Sequence, residues 1–265
     1  MKKTGESEGQ TSEFPIFETS REAKQYVATV TRKDESFDGL IFAVRDLVKD
    51  DAVQALRRNA LSILGGTPGG WARLERGASD FWWTNDNHPQ STVKGCFTQV
   101  NFFPWNYRGS EILEIVRPVF KLREEVHTLL VAPTQSHTVE AFERVAIQIY
   151  PKGVGWLQAH ADPSGAHQTL VASIVLSHFG SDYHHGGLFV KSRHGDAIFV
   201  ERTLMPGDVV FFDPATIHGV ETIDPGALTQ PVESSPFITG RWMALCATNL
   251  ADRTLGQGVA RPEGN

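Results

Sequence analysis

What most limits the fold of this chain is the change of hydrophobic rhythm near Glu143. From there to about Thr248 apolar residues alternate with polar ones, in runs too short for helices. Strand-like segments fall at residues 144–150, 156–160, 169–176, 187–191, 197–200, 208–212, 218–222 and 240–248, with Gly or Pro in almost every gap. Period-two runs between turn residues predict half-buried strands, and many short ones in succession predict a sandwich or barrel.

Within that region His160-Ala161-Asp162 places two potential metal ligands two residues apart. Alternate side chains of a strand share a face, so both can address one ion. Two imidazoles and one carboxylate on one face of a metal leave the opposite face open, the arrangement of non-heme iron(II) oxygenases. His218 is the natural third ligand: Gly207-Asp208 signals a turn, residues 209–212 form a short apolar strand, Pro214 breaks it, and His218 opens the next extended run. It lies 58 residues after His160 (218 − 160), so the set can converge only if intervening strands fold back, as in a jelly roll. Taken alone, His-x-Asp is more often a pair of ordinary polar residues than a site.

With Arg241 added, the motif His160-x-Asp162, His218, Arg241 resembles that of the iron(II)- and 2-oxoglutarate-dependent oxygenases of the double-stranded β-helix type. The resemblance covers residues 143–249. It implies a mainly β fold with flanking helices and a jelly-roll, cupin-like core. It also implies Fe(II) held by His160, Asp162 and His218, with 2-oxoglutarate as co-substrate and dioxygen as oxidant. Arg241 matches the arginine that binds the distal carboxylate of 2-oxoglutarate, and a guanidinium fork suits that group. The spacing from His218 is 23 residues (241 − 218), longer than usual, and a Pro- and Ser-rich loop over residues 224–235 accounts for the excess. Many relatives carry Ser or Thr two residues beyond the arginine; here Met243 stands there, so Thr169 is a candidate for the missing hydroxyl. Halogenating relatives replace the carboxylate with Gly or Ala, so Asp162 favours hydroxylation or another oxidation.

Other candidates follow from position. Gln148 and Tyr150 share a strand face with Arg144 just before the ligand strand; Gln148 is read as a co-substrate contact and Tyr150 as a substrate contact, with a structural hydrogen bond as the rival for each. Trp156 and Arg193 are further substrate candidates, against a core tryptophan and a solvated arginine. His167, His178, His184, His185 and His194 have no ligand spacing and read as loop histidines.

Residues 14–255 read as one domain, with a helical and aromatic part at 14–142 before the core at 143–250; residues 1–13 and 256–265 read as disordered tails. Residues 25–31 form a first strand or helix. Residues 40–64 show helical periodicity with an interruption near Asp50-Asp51, ended by Gly65-Gly66-Thr67-Pro68-Gly69-Gly70. Residues 71–89 read as an aromatic loop, 97–103 as a strand, and 111–130 as two helices broken at Pro118 or one bent helix.

Twenty-five basic against 31 acidic residues give a formal charge of −6 with no basic block, which argues against nucleic acid or an anionic membrane as partner. Two cysteines make no disulfide framework, and reduced thiols in a cytoplasmic protein fit them. The expected function is oxidation, most simply hydroxylation, of an unactivated C–H in a small molecule such as an amino acid, cyclic dipeptide or secondary-metabolite intermediate, by a monomer or homodimer. Desaturation, cyclisation or epoxidation, and a peptide or protein substrate, are the alternatives with the same cofactors. A binding protein, or a zinc or manganese isomerase, is the alternative of another class.

Overall fold

The computed structural model describes residues 14–33, 39–131, 141–163, 169–192, 194–228, 239–250 and 261–262. The sequence-based expectations for residues 1–13, for most of 256–265 and for Arg193 lie outside them.

The long strands β5 (Ala141–Pro151) and β12 (Gly240–Leu250) pair antiparallel along their whole length, and the rest of the sheet is built around them. On the β12 side follow β7 (Val171–Val175), β10 (Val209–Phe212), β2 (Ile41–Val44) and the short β1 (Ile16–Phe17). On the β5 side follow β4 (Gly95–Phe102), β6 (Trp156–Ala161), β11 (His218–Glu221), β8 (Gly187–Lys191) and β9 (Ala197–Phe199). The sheet curls so that the β6-β11-β8 limb faces β5, β12 and β7 across a shared interior, which makes it a double-stranded β-helix. β3 (Phe81–Asp86) extends the sheet beside β4, and β13 (Arg261–Pro262) lies beside Ala161 and His160 of β6.

Four helices occur among the described residues: α1 (Ser20–Lys33), α2 (Asp50–Gly66), α3 (Tyr107–Ile115) and α4 (Arg117–Leu130). None is long and apolar enough to cross a membrane. They cover the outer face of the β5-β12 sheet, and the period of two explains how. Val145, Ile147 and Ile149 of β5 and Trp242, Ala244 and Cys246 of β12 join the helix-backed core with Val53, Leu56, Ile112 and Phe120. The intervening Arg144, Gln148, Tyr150, Arg241, Met243 and Leu245 line the interior pocket. Each large apolar side chain so buried stabilises the fold by about 1.5–3 kcal/mol, so a register slip of one residue would exchange the two sets and is strongly disfavoured.

The helical reading of residues 40–64 merged two elements: Ile41–Val44 is a fully buried strand paired with β10, and α2 begins only at Asp50. A continuous apolar run carries no period that separates strand from helix. Asp50 and Asp51, read as an interruption, form the first turn of α2, where acidic side chains suit the helix dipole. The aromatic loop is in part strand β3, whose Phe81, Trp83 and Asn85 are buried on one face. Residues 25–31 belong to a helix. Pro118 separates two helices, sitting in the first turn of α4 where its missing N–H costs nothing. Cys96 and Cys246 are both free thiols.

Candidate metal centre

His160 near the end of β6 and His218 at the start of β11 are directly opposed across the antiparallel pair. Their rings stand 4.3 Å apart, and Phe212 packs against His218 at 4.8 Å. Asp162 follows β6 and is fixed by its backbone N–H, which donates to the Pro214 carbonyl at 2.8 Å. Its Oδ1 lies 3.6 Å from His160 Nε2 and its Oδ2 3.7 Å from His218 Nε2. One ligand atom from each residue lies within 4.8 Å of the others, and this is the one such His/Asp cluster among the described residues.

The backbone sets the tautomers. His160 Nδ1–H donates to the Gln158 carbonyl at 2.8 Å and His218 Nδ1–H to the Thr216 carbonyl at 3.0 Å. Both Nε2 lone pairs are thereby left for an ion, with the outer hydrogen bonds that metal-binding imidazoles need. Burial lowers the His218 pKa to about 4, so its ring is neutral and ligand-ready at physiological pH. Burial pushes Asp162 upward, but the adjacent His160, His218 and Arg144 prevail and hold it ionised below its usual range.

A pH prediction follows. In metal-free protein the unfolded chain protonates His218 near pH 6.5 and the folded chain only near 4, so unfolded chains bind more protons in between. Stability is full above pH 6.5 and falls by up to roughly 3 kcal/mol as pH drops through that window. Denaturant melts with chelator present should show this slope, and His218→Asn should flatten it; an unchanged slope in the variant would contradict the assignment.

Arg241 lies opposite Tyr150 in the β5-β12 pair, 1% exposed, with its guanidinium 4.9 Å from the centre of the tyrosine ring. It is gripped by Glu201, a residue the sequence did not single out. Nε donates to both carboxylate oxygens at 2.9 and 2.7 Å, and Nη2 to Oε1 at 2.7 Å. The Tyr183 hydroxyl and the Leu188 N–H complete the set on Oε2 at 2.6 and 3.1 Å. Gly187, at φ +107°, makes room for this cluster: a Cβ there would stand 3.0 Å from Glu201 Oε2. Burial raises the Glu201 pKa, yet Arg241 overrides it and holds the carboxyl below its ordinary range, while Glu201 drives Arg241 upward. Arg241 Nη1 is buried and has no hydrogen-bond partner among the described residues.

From this corner a chain of hydrogen bonds crosses the pocket floor. Tyr150 donates to Gln148 Oε1 at 2.7 Å, Gln148 Nε2 to Gln99 Oε1 at 2.9 Å, and Gln99 Nε2 to Asn101 Oδ1 at 3.0 Å, where Arg144 also donates. Each amide is oriented by its neighbours. Gln148 and Tyr150 thus face the same pocket as the three metal-ligand candidates and Arg241.

Two sequence-based candidates lie elsewhere. Trp156 does not line the pocket; Leu157 does. His218 pairs with His160 but Val220 with Leu157, so two residues of β6 (Gln158 and Ala159) oppose one of β11 (Gly219), and the bulge reverses which side chains share His160's face. Thr169 is hydrogen-bonded to His127 at 2.8 Å in a separate cleft, before β7 begins. The hydroxyl that enters the pocket from β7 is Ser173, 3% exposed, and Met243 contributes an apolar wall. Of the loop histidines, His185 is exposed and Asp224 holds the backbone N–H groups of His184 and His185.

No protein-family model matches the chain, and no curated protein sequence matches it. Solved structures do. The non-heme alpha ketoglutarate dependent epimerase SnoN from nogalamycin biosynthesis aligns over 86% of this chain and 83% of its own at TM-score 0.50 and 14% identity. A prolyl hydroxylase from Trichoplax adhaerens, solved with a hypoxia inducible factor peptide fragment, aligns over 85% and 90% at TM-score 0.52 and 12% identity. A Pseudomonas putida prolyl-4-hydroxylase aligns over 84% and 97% at TM-score 0.51 and 14% identity. At this identity the likeness speaks for architecture, and the chain has the double-stranded β-helix fold on which that ketoglutarate-dependent epimerase and those prolyl hydroxylases are built.

Proposed function

We propose that the protein is an iron(II)- and 2-oxoglutarate-dependent dioxygenase that oxidises, most simply by hydroxylation, an unactivated C–H of a small molecule. The observation that carries this reading is one pocket lined both by the His160, Asp162 and His218 donors and by Arg241, whose Nη1 is a buried donor awaiting an acceptor. A binding protein or a zinc isomerase has no use for an uncommitted buried guanidinium nitrogen in the same pocket. The single domain over residues 14–255 belongs to the same proposal.

The donor set fits the group. Two neutral imidazoles and one carboxylate suit a divalent first-row ion and leave positions for a chelating keto acid. Glu201 occupies the Nε edge of Arg241, which leaves Nη1 for the distal carboxylate of 2-oxoglutarate, with the Tyr150 ring stacked alongside. Bound iron with its keto acid supplies the activation of dioxygen, and the overall change is C–H plus dioxygen plus 2-oxoglutarate giving C–OH, succinate and carbon dioxide. The protein's part is positional. His160 and His218 hold their Nε2 atoms inward through their backbone hydrogen bonds, Asp162 supplies the negative charge, and Val171, Leu188, Phe212, Val220 and Leu245 keep the surroundings apolar. Retention of a small molecule as acceptor is supported by the acidic composition and by enclosure of the pocket between the two limbs of the sheet.

Aerobic incubation with iron(II), 2-oxoglutarate and a candidate-substrate library, read as succinate release, tests the reading. Release should need both cofactors and rise with a true substrate. Conversion that proceeds under nitrogen without 2-oxoglutarate would favour the isomerase alternative.

A further inference from the structure

At the other end of the same pocket lies a second arginine. Arg144 is 6% exposed and lines the pocket with the metal-ligand candidates. Its partners are both neutral: Nε donates to Asn249 Oδ1 at 3.0 Å and Nη1 to Asn101 Oδ1. No carboxylate forms an ion pair with it among the described residues; Asp162 is near enough for each charge to act on the other, but the two do not touch. Beside it Asn101 Nδ2 is buried without a partner. Its amide orientation is fixed, because Oδ1 already accepts from both Gln99 and Arg144.

A buried guanidinium without a counter-ion is costly, and buried charges are ordinarily paired. Arg241 obeys that rule through Glu201, and among the described residues Arg144 has no such partner. Nor does the keto acid anchored at Arg241 supply the missing anion. Arg144 and Tyr150, the residue facing Arg241, stand six positions apart on β5 (150 − 144), roughly 20 Å along the strand. A five-carbon acid with C–C bonds of about 1.5 Å extends to only about 6 Å.

We propose that Arg144 is the docking group for a carboxylate of the substrate, so that the acceptor is an anionic small molecule held by its carboxylate with the reacting C–H turned toward the metal. This rests on the dioxygenase reading and narrows it to a substrate class. A planar carboxylate suits a guanidinium, and among the described residues no lysine or second arginine without a counter-ion lines the pocket to call for a phosphate.

The test uses the full chain loaded with manganese(II) and N-oxalylglycine, a 2-oxoglutarate isostere, so that binding is read without turnover. The standard L-amino acids, benzoate and cyclohexanecarboxylate are titrated calorimetrically, each beside its own carboxamide. Ligands that bind should do so at least about 10-fold more tightly as acid than as amide, the scale of a charge-assisted hydrogen bond. Arg144→Met should bring that ratio to about 1 and Arg144→Lys restore part of it, with the affinity for N-oxalylglycine unchanged in both. Equal binding of acids and amides would overturn the proposal, as would a preference that survives Arg144→Met or no carboxylate bound at about 10 mM. Loss of metal or N-oxalylglycine affinity in Arg144→Met would also overturn it, by assigning Arg144 to the cofactor side. Should Arg144→Met fail to fold, the acid-to-amide ratio in the wild type and in Arg144→Lys decides. A wild-type protein that binds no manganese or N-oxalylglycine sinks the dioxygenase reading itself, whereas cofactor binding without acid preference sinks only the role of Arg144.

Discussion

Glu201→Ala is expected to destabilise the protein by about 3–5 kcal/mol, because it leaves the Arg241 guanidinium buried without its counter-ion. Arg241→Ala should cost a similar amount by stranding Glu201, which is 4% exposed. Arg241 is therefore a structural partner as well as a proposed anchor. A double variant separates the two roles. Glu201→Leu with Arg241→Met replaces the pair by side chains of similar volume and should recover most of the stability while binding 2-oxoglutarate more weakly. Urea titrations of the wild type, Glu201→Leu, Arg241→Met and the double variant close a cycle that gives the coupling, and a value under about 1 kcal/mol would contradict the pairing. The pH sign is fixed too. With a folded-state pKa below the ordinary 4.5, Glu201 contributes its stability above that pH and loses it as pH falls through the lower folded value.

Asp162→Ala should reduce iron-dependent succinate release below detection and weaken metal binding by more than about 100-fold, beyond the 10–100-fold typical of losing an outer hydrogen bond. Asp162 is the only anionic donor of the set, and its removal takes away the charge that offsets the ion's own. Its side chain is 22% exposed and ends at the rim of β6, so the fold should survive and circular dichroism should match the wild type. His160→Ala should abolish activity likewise. Turnover retained in either variant would place the reaction elsewhere.

The metal-ligand candidates, the arginine and the jelly-roll architecture were legible because strand alternation ties sequence spacing to a face. His160 and Asp162, or Arg241 and Met243, are two apart and must share a side unless a bulge intervenes. Where one does, at residues 157–160, the rule misplaced Trp156. Glu201 gave no signal: it follows a short strand in a 3-10 turn, 40 residues from Arg241 (241 − 201), and nothing local marks a carboxylate that pairs across a barrel. Thr169 was chosen for its chemistry, and its hydroxyl is already committed to His127 across the helix layer. Arg144 was visible only as a neighbour on the face of Gln148 and Tyr150; that no carboxylate among the described residues pairs with it is a property of three dimensions. Ile41–Val44 escaped for the opposite reason, since a strand buried on both faces carries no alternation at all.

The most direct test is an anaerobic titration of metal-free protein with iron(II) and 2-oxoglutarate, followed by visible absorption. A weak charge-transfer band should appear only when both are present, be absent in Asp162→Ala, and need more 2-oxoglutarate in Arg241→Met paired with Glu201→Leu. Absence of the band in a wild-type protein that binds zinc tightly at the same three residues would contradict it.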